Sequence, residues 1–261
     1  MKRANGLLIY TVFYLAFLYL PVLLLPLFSF NDGTIVAFPI KGWTLDWYRQ
    51  LGAQDTLLNA LGNSLIVGIT TALLATSMGL FAARAYVRNR FPGKEASEGL
   101  VMLPLVIPGI IVASSMLVLF ISIGLKPSLT AVILGHSFLA LPFSVSIMKS
   151  AFDDFDASLE EAAYDLGSTV LETFRRVTLP VVAPGIVASF LVTFTVSFDE
   201  FVLAFFLSGN EPTLPVYIWS QIRFPAKLPN TLALGSVLLL ASVLLLVVAE
   251  YFRRRSSSKS A

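Results

Sequence analysis

Long apolar stretches recur along the whole chain, and they constrain its fold more than any other feature of the sequence. Each is about twenty residues long or longer, and together they cover approximately residues 7–28, 61–83, 100–123, 129–148, 183–207 and 231–249. A helix rises about 1.5 Å per residue, so about twenty residues span a bilayer core of about 30 Å. Only 13% of the 261 residues are charged, whereas about a quarter are charged in a soluble domain. The sequence predicts an all-α membrane protein with six transmembrane helices, in a single domain over residues 1–261.

The distribution of Lys and Arg predicts the orientation of these helices. Six spans place both termini on one side, and 13 of the 18 Lys and Arg residues then lie on that side, in the termini and in segments 84–94 and 149–182. The other 5 lie in the connections on the opposite side. Cytoplasmic loops are enriched in Lys and Arg. We therefore expect both termini to be cytoplasmic.

The residue types exclude several kinds of active site. The chain has no Cys and a single His, His136, which excludes disulfides, thiolate catalysis and multi-histidine metal sites. It has no Gly-rich loop ending in Lys-Ser or Lys-Thr that would bind ATP. A lone His inside a span does not make a catalytic triad, and we interpret it as a hydrogen-bonded interior residue. We expect no enzyme activity, metal site or nucleic-acid binding in this chain.

A polar segment, residues 150–182, separates the fourth and fifth apolar stretches. Ser158 stands three residues before Glu161, which is the spacing of a capping box at a helix N-terminus. Gly167 tolerates the left-handed conformation in which helices end. The pattern predicts a short helix that begins at Ser158 and ends at Gly167.

A second start signal follows directly. Thr169 and Glu172 repeat the capping-box spacing, and Pro180 blocks continuation of a helix. The segment therefore predicts two short helices with a glycine joint. Small Ala side chains on the first helix suit docking into another protein.

The same segment resembles the cytoplasmic loop motif of bacterial ABC importer permeases, in which Glu-Ala-Ala is followed at fixed distances by Gly and by Leu-Pro. The residues in that register are Glu161, Ala162, Ala163, Gly167, Val177, Leu179 and Pro180. The resemblance extends over nearly the whole chain and is strongest to the second permease of spermidine/putrescine importers. Further similar residues are Asn63, Ser64, Pro104, Pro108 and the runs 197–201 and 214–218.

This resemblance implies a type I ABC importer permease fold, with residues 150–182 as a coupling loop that docks into a groove of a cytoplasmic ATPase. The implied coupling residues are Ser158, Glu161, Ala162, Ala163, Tyr164, Asp165, Gly167, Leu179 and Pro180. The implied partners are an ATPase dimer that binds ATP and Mg²⁺, a second homologous permease, and a periplasmic or extracellular substrate-binding protein. The chain itself would hold no cofactor. The implied location is the bilayer of the bacterial inner membrane, and the implied substrate is a polyamine or a related small organic solute.

Two acids, Asp199 and Glu200, lie inside the fifth apolar stretch. Ionisable residues at that depth are costly and usually face a cavity or a pathway. We expect at least one of them to line the substrate path, with cation–π contact from aromatic side chains. The aromatic candidates are Phe198, Tyr217 and Trp219. The alternative, that the acids cap a helix break or pair with an Arg of a partner, remains open.

A stand-alone secondary transporter or channel is the alternative function, with Asp199 and Glu200 coupling transport to an ion. It predicts internal repeats with broken helices at matching positions, and the sequence shows no clear repeat. It also leaves the Glu-Ala-Ala motif unexplained. An intramembrane enzyme lacks a catalytic set of residues.

Overall fold

The computed structural model describes residues 2–40 and 42–257, and this part of the chain is mostly helical. The α-helices are α1 (Lys2–Ser29), α2 (Asp46–Leu51), α3 (Asp55–Arg88), α4 (Lys94–Met102), α5 (Gly109–Ser122), α6 (Leu129–Asp153), α7 (Ser158–Asp165), α8 (Val170–Thr173), α9 (Leu179–Asp199), α10 (Val202–Leu207), α11 (Leu214–Ile222) and α12 (Leu228–Ser257). A π-helical turn, Phe174–Thr178, joins α8 to α9. Lys259, which counts toward the predicted cytoplasmic charge, lies outside the described residues.

Five helical segments of the described chain are long and apolar enough to cross a membrane, and a bent pair passes the same test when its two helices are counted as one span. The five are Gly6–Ser29, Asp55–Arg88, Leu129–Asp153, Val170–Asp199 and Pro225–Leu244. The bent pair is Lys94–Leu105 with Gly109–Ser122. The all-α class is confirmed, and each predicted span has a counterpart.

The third predicted span, residues 100–123, is not one straight helix. It bends by 103° between Leu105 and Gly109. Pro108 is the N-cap of α5 in an extended conformation, with φ −55° and ψ 130°, and a proline has no amide hydrogen to continue a helix. An ion pair between Lys149 and Glu98 links α4, the first helix of this bent pair, to α6.

The fifth predicted span, residues 183–207, has different ends in the structure. A continuous helical rod runs over Val170–Asp199, so the predicted second short helix is the first turn of this span. Pro180 does not stop the helix. It lies just after the π-helical turn Phe174–Thr178, and the changed hydrogen-bond pattern of such a turn lets the rod continue past a residue without an amide hydrogen.

The described chain forms two compact units, and their boundaries fall inside α3 and α11. The first unit comprises residues 1–58 and 218–261. Within it α1 packs against α12, where a Cβ added to Gly235 would lie 2.9 Å from Leu25 Cδ2. Asn230 at the start of α12 donates a hydrogen bond to Gln50 at 3.4 Å.

The second unit, residues 59–217, has two apolar clusters. The first joins α5, α6 and α10, and its fully buried members include Ala113, Val132 and Leu203. The second joins α3, α6 and α9 to segment 150–182, to which three of its members belong; it contains Leu80, Ala83, Met148, Phe152, Phe155 and Val182. This second cluster fixes the ends of the three helices beside the predicted coupling loop.

Buried hydroxyl groups and one close glycine contact also hold α3, α6 and α9 together. Ser189 Oγ lies 2.8 Å from Ser144 Oγ and 3.2 Å from Thr76 Oγ1. A Cβ added to Gly79 would lie 2.0 Å from Ser144 Oγ. Small residues and hydroxyls of this kind let transmembrane helices approach closely.

The side chains of Asn63 and Ser64 on α3 hold the start of α11. Asn63 Nδ2 donates to the Pro212 carbonyl at 3.0 Å, and the Leu214 amide donates to Ser64 Oγ at 2.8 Å. The first amide of α11 thus finds an acceptor on α3, which satisfies a donor that a helix N-terminus leaves unpaired.

Candidate functional site

The predicted coupling loop contains the helix α7, residues Ser158–Asp165, as expected. Its end at Gly167 is confirmed: the residue has φ +84°, and its amide donates to the Tyr164 carbonyl at 2.9 Å. The Ser168 amide closes the turn by donating to the Ala163 carbonyl at 3.0 Å. This left-handed turn separates α7 from the rod that begins at Val170.

The predicted capping box at Ser158 is wrong, because Ser158 is the first residue of α7 and not its cap. Its amide donates to Asp156 Oδ1 at 2.9 Å, so the preceding acid caps the helix. Hydrogen bonds from the backbone and the hydroxyl of Ser158 hold the pKa of the Asp156 carboxyl below its usual value. The second predicted box is confirmed, with reciprocal hydrogen bonds between Thr169 and Glu172.

The outer surface of the loop is rich in exposed side chains from the predicted motif. The exposed motif residues include Glu161, Ala162, Tyr164 and Asp165. Apolar side chains flank them: Leu159, Leu166, Val170 and Leu171 are all exposed. We call these eight residues the docking surface. Leu166 is 88% exposed, and apolar exposure concentrated on a polar loop indicates a surface that another protein covers.

The inner face of α7 carries a buried acid that was missed in the sequence analysis. Glu160, only 7% exposed, lies 3.2 Å from Arg84 Nη1 and 3.6 Å from Arg88 Nε. The Thr178 hydroxyl donates to the same carboxylate at 2.5 Å. We call these four residues the Glu160 node. The sequence feature that could have indicated it is the pair of arginines four residues apart at the end of α3, because residues at that spacing lie on one side of a helix.

Aromatic rings and a backbone carbonyl hold the two arginines of the node in place. The Arg84 guanidinium lies 4.9 Å from the centre of the Phe174 ring, and the Arg88 guanidinium lies 4.9 Å from the Phe155 ring. Arg88 Nη2 also donates to the Phe155 carbonyl at 3.1 Å. Stacking of this kind suits the planar guanidinium and orients it toward its acid.

The second candidate region is the helix break between α9 and α10. Glu200 has an extended ψ of 120°, and its carboxylate accepts hydrogen bonds from the amides of Val202, Leu203 and Ala204 at 2.9, 2.8 and 3.2 Å. Of the two roles left open for the acids, Glu200 takes that of a helix cap. The cap ends α9 at Asp199 and starts α10.

His136 of α6 joins this break as a buried interior residue. Its Nδ1 lies 2.9 Å from Ser197 Oγ, and its Nε2 lies 3.3 Å from Glu200 Oε2. The interpretation as a hydrogen-bonded interior residue is confirmed. The sequence analysis did not predict its pairing with Glu200, because the two residues are 64 positions apart in the chain.

The other predicted path residues lie in different surroundings. The side chain of Asp199 is exposed at the end of α9, and the ring of Phe198 stacks on that of Phe194 with 5.5 Å between centres. Tyr217 is buried at 8% exposure, whereas Trp219 is 46% exposed and has the Arg223 guanidinium 5.8 Å from its ring. Within residues 2–40 and 42–257, no group of three or more His, Asp or Glu side chains is arranged to hold a metal ion.

The sequence matches the family model described as "Binding-protein-dependent transport system inner membrane component" over residues 75–258. The spermidine/putrescine transport system permease protein PotC of Haemophilus influenzae is 32% identical over 93% of this chain and 94% of that protein. The putrescine transport system permease protein PotI of Escherichia coli K12 is 33% identical over 93% of this chain and 89% of that protein.

Two solved structures share the fold. A chain of a bacterial ABC transporter involved in the import of the acidic polysaccharide alginate superimposes with a TM-score of 0.75 at 16% identity, over 96% of this chain and 97% of that chain. A chain of the MetNI methionine ABC transporter superimposes with a TM-score of 0.58 at 20% identity, over 79% of this chain and 95% of that chain.

Proposed function

The chain belongs to the family of binding-protein-dependent transport system inner membrane components, and on that premise we propose that it forms half of an import path for a polyamine or a related small organic solute. As a family member it is a multi-pass permease subunit of an ABC importer, and it works with a substrate-binding protein, a second permease and an ATPase. Family membership favours this function over a stand-alone secondary transporter or channel.

The docking surface, formed by α7 and the residues that follow it up to Leu171, is the observation that carries the coupling role. It exposes apolar side chains around Glu161 and Ala162, while the inner face of the same helix is held against the transmembrane helices by Glu160. We assign this surface to the cytoplasmic ATPase, which binds ATP and Mg²⁺. Both termini are then cytoplasmic, in agreement with the bias of Lys and Arg.

The proposed mechanism is alternating access. Closure of the ATPase dimer on ATP moves α7, the helices connected to it rock, and the path opens toward the loaded binding protein. Hydrolysis reverses the movement. In this mechanism Glu161 and the two alanines that follow it contact the ATPase groove, Gly167 permits the turn after α7, and Leu179 and Pro180 begin the part of the rod that moves with it.

Asp199 is our candidate for recognition of a cationic substrate. The neighbouring acid Glu200 is already held by three backbone amides, whereas the Asp199 carboxylate is exposed at the helix end. A carboxylate there attracts an ammonium group, and the rings of Phe198, Tyr217 and Trp219 are the candidates for cation–π contact. The names of the relatives PotC and PotI support polyamines as the substrate class.

Purification of the tagged chain from its native membranes tests the coupling role. We expect an ATPase subunit, a companion permease and a binding protein to co-purify and to be identified by mass spectrometry. Changes at Glu161 and Gly167 should release the ATPase. A chain that purifies alone, with uptake driven by an ion gradient, would contradict the proposal.

Uptake of labelled putrescine and spermidine by the reconstituted importer tests the substrate. We expect Asp199→Asn to lower uptake about tenfold or more, since a hydrogen bond to a charged group contributes about 1.5–3 kcal/mol. The matched control is Glu95→Gln, which changes an exposed acid in the first turn of α4, outside the coupling loop. Unchanged uptake in the Asp199 variant, or no uptake of either polyamine by the unaltered importer, would contradict the assignment.

A further inference from the structure

Two adjacent acids of α7 face opposite surroundings. Consecutive residues of a helix point about 100° apart, and here Glu161 is exposed while Glu160 is buried. The motif residue therefore belongs to the docking surface, and the acid before it belongs to the interior. The two positions can be altered separately.

Glu160 is the only buried residue among the eight residues of α7, all of which the structure describes. The apolar cluster that packs α3, α6 and α9 lies close by, yet its members all come from outside α7. The one buried side chain of α7 is thus acidic, and α7 buries no apolar side chain against the transmembrane helices.

The Glu160 node connects α7 to two spans at once. Arg84 and Arg88 belong to α3, and Thr178 belongs to the rod Val170–Asp199. Arg84 Nη1 also lies 3.5 Å from Thr178 Oγ1, so the two spans contact each other within the node. A poorly solvated acid that loses its cationic partners is strongly disfavoured, and the carboxylate therefore keeps α7 attached to both spans when α7 is displaced.

We propose that the Glu160 node transmits the movement of α7 to α3 and to the rod, with Glu160, Arg84 and Arg88 as positioning residues for coupling. This inference rests on the proposed docking of the ATPase onto α7. It assigns the two successive acids different roles, since Glu161 contacts the ATPase and Glu160 passes the displacement to the membrane.

Replacement of Glu160 by Gln tests the proposal in the whole importer. Glutamine keeps the size of the side chain and an oxygen for the Thr178 hydroxyl but removes the charge. We expect equal amounts of co-purified ATPase and unchanged basal ATP hydrolysis. Stimulation of hydrolysis by the loaded binding protein, and uptake with it, should fall about fivefold or more, the range of a typical coupling between sites.

Glu161→Gln is the matched control, because it makes the same change on the exposed face. We expect this control to weaken ATPase docking and to leave the attachment of α7 to the spans intact. If Glu160→Gln retained full stimulation, or if it lost stimulation only in proportion to lost ATPase, the node would have no transmitting role.

A double-mutant cycle with Arg84→Gln separates transmission from general destabilisation. Residues that act through one interaction give non-additive losses. We expect the variant with both Glu160→Gln and Arg84→Gln to lose no more stimulation than the more affected single variant. Losses that multiply would overturn the proposal.

Spin labels give a readout that does not depend on the ATPase. The chain has no native Cys, so cysteines introduced at the exposed positions Ser158 on α7 and Met78 on α3, both outside the docking surface, are the two that it offers to a spin label. We expect one narrow distance distribution in the unaltered importer and a broad one with Glu160→Gln. Equal distributions would overturn the node, whereas absence of a co-purifying ATPase from the unaltered chain would overturn the docking proposal instead.

Discussion

His136 Nε2 lies 3.3 Å from Glu200 Oε2, and this contact joins α6 to the break between α9 and α10. The imidazole is 1% exposed, and its other nitrogen is 2.9 Å from Ser197 Oγ. Glu200 at the same time accepts three backbone amides of the α10 N-terminus. Glu200, an acidic residue inside the membrane domain, thus has a structural role in shaping the helix end that exposes Asp199.

Glu200→Ala should therefore destabilise the protein more than Asp199→Ala. The change leaves the first amides of α10 without their acceptor, and loss of a helix cap costs about 1–2 kcal/mol in free energy of unfolding. Asp199 makes no such cap, so its variant should unfold at the temperature of the unaltered protein. The midpoint temperature of thermal unfolding is measured for both purified variants in the same detergent. Equal midpoints would contradict the capping role of Glu200.

Gly79→Ala should weaken the packing of α3 against α6. The added methyl group would lie 2.0 Å from Ser144 Oγ and 2.7 Å from Ser144 Cβ, and overpacking of this kind costs about 1–3 kcal/mol. Gly62→Ala on the same helix is the control, because nothing lies within 4 Å of its added methyl group. The midpoint temperatures of thermal unfolding are measured for both variants. A Gly79 variant as stable as the Gly62 variant would show that α3 and α6 pack less tightly than the structure indicates.

Gly167→Val should abolish coupling, because valine strains the backbone conformation of the turn after α7. The residue has φ +84°, and nothing lies within 4 Å of an added Cβ, so space is not limiting. The left-handed conformation costs an ordinary L-residue about 1–2 kcal/mol and a β-branched residue more. Uptake at matched protein levels measures the effect. Gly167→Asn should retain more uptake because Asn tolerates this conformation better, and normal transport by the Val variant would count against the coupling role of the turn.

Leu166→Ser should reduce capture of the ATPase while leaving the permease stable. The side chain is 88% exposed, so the change removes apolar area from the docking surface and none from the interior. Ile35→Ser is the control, since Ile35 is 76% exposed and lies on the opposite side of the membrane in the proposed topology. The amount of ATPase retained on the tagged chain is the measurement, and equal retention by both variants would place the ATPase elsewhere.

Local features of the loop could be predicted where short-range chemistry decides them. The end of α7 at Gly167 and the reciprocal cap of Thr169 and Glu172 depend on residues within a few positions, and both predictions were confirmed. The capping box at Ser158 was predicted wrongly. The carboxylate of Asp156, two residues earlier, accepts the hydrogen bond from the Ser158 amide that a capping box gives to Glu161. Pro180 was misread as a stop, because the π-helical turn before it changes the local hydrogen-bond pattern and the rod continues past the proline.

The sequence by itself determined the all-α membrane class, the positions of the apolar segments and the position of the polar loop that carries the Glu-Ala-Ala motif. These follow from the length of apolar runs and from local turn chemistry, which need no knowledge of distant contacts. Only the tertiary structure decided that Glu160 pairs with Arg84 and Arg88, and that His136 meets Glu200. The physical reason is that such partners are far apart in the chain, and helix packing alone brings their charges within a few ångströms of each other.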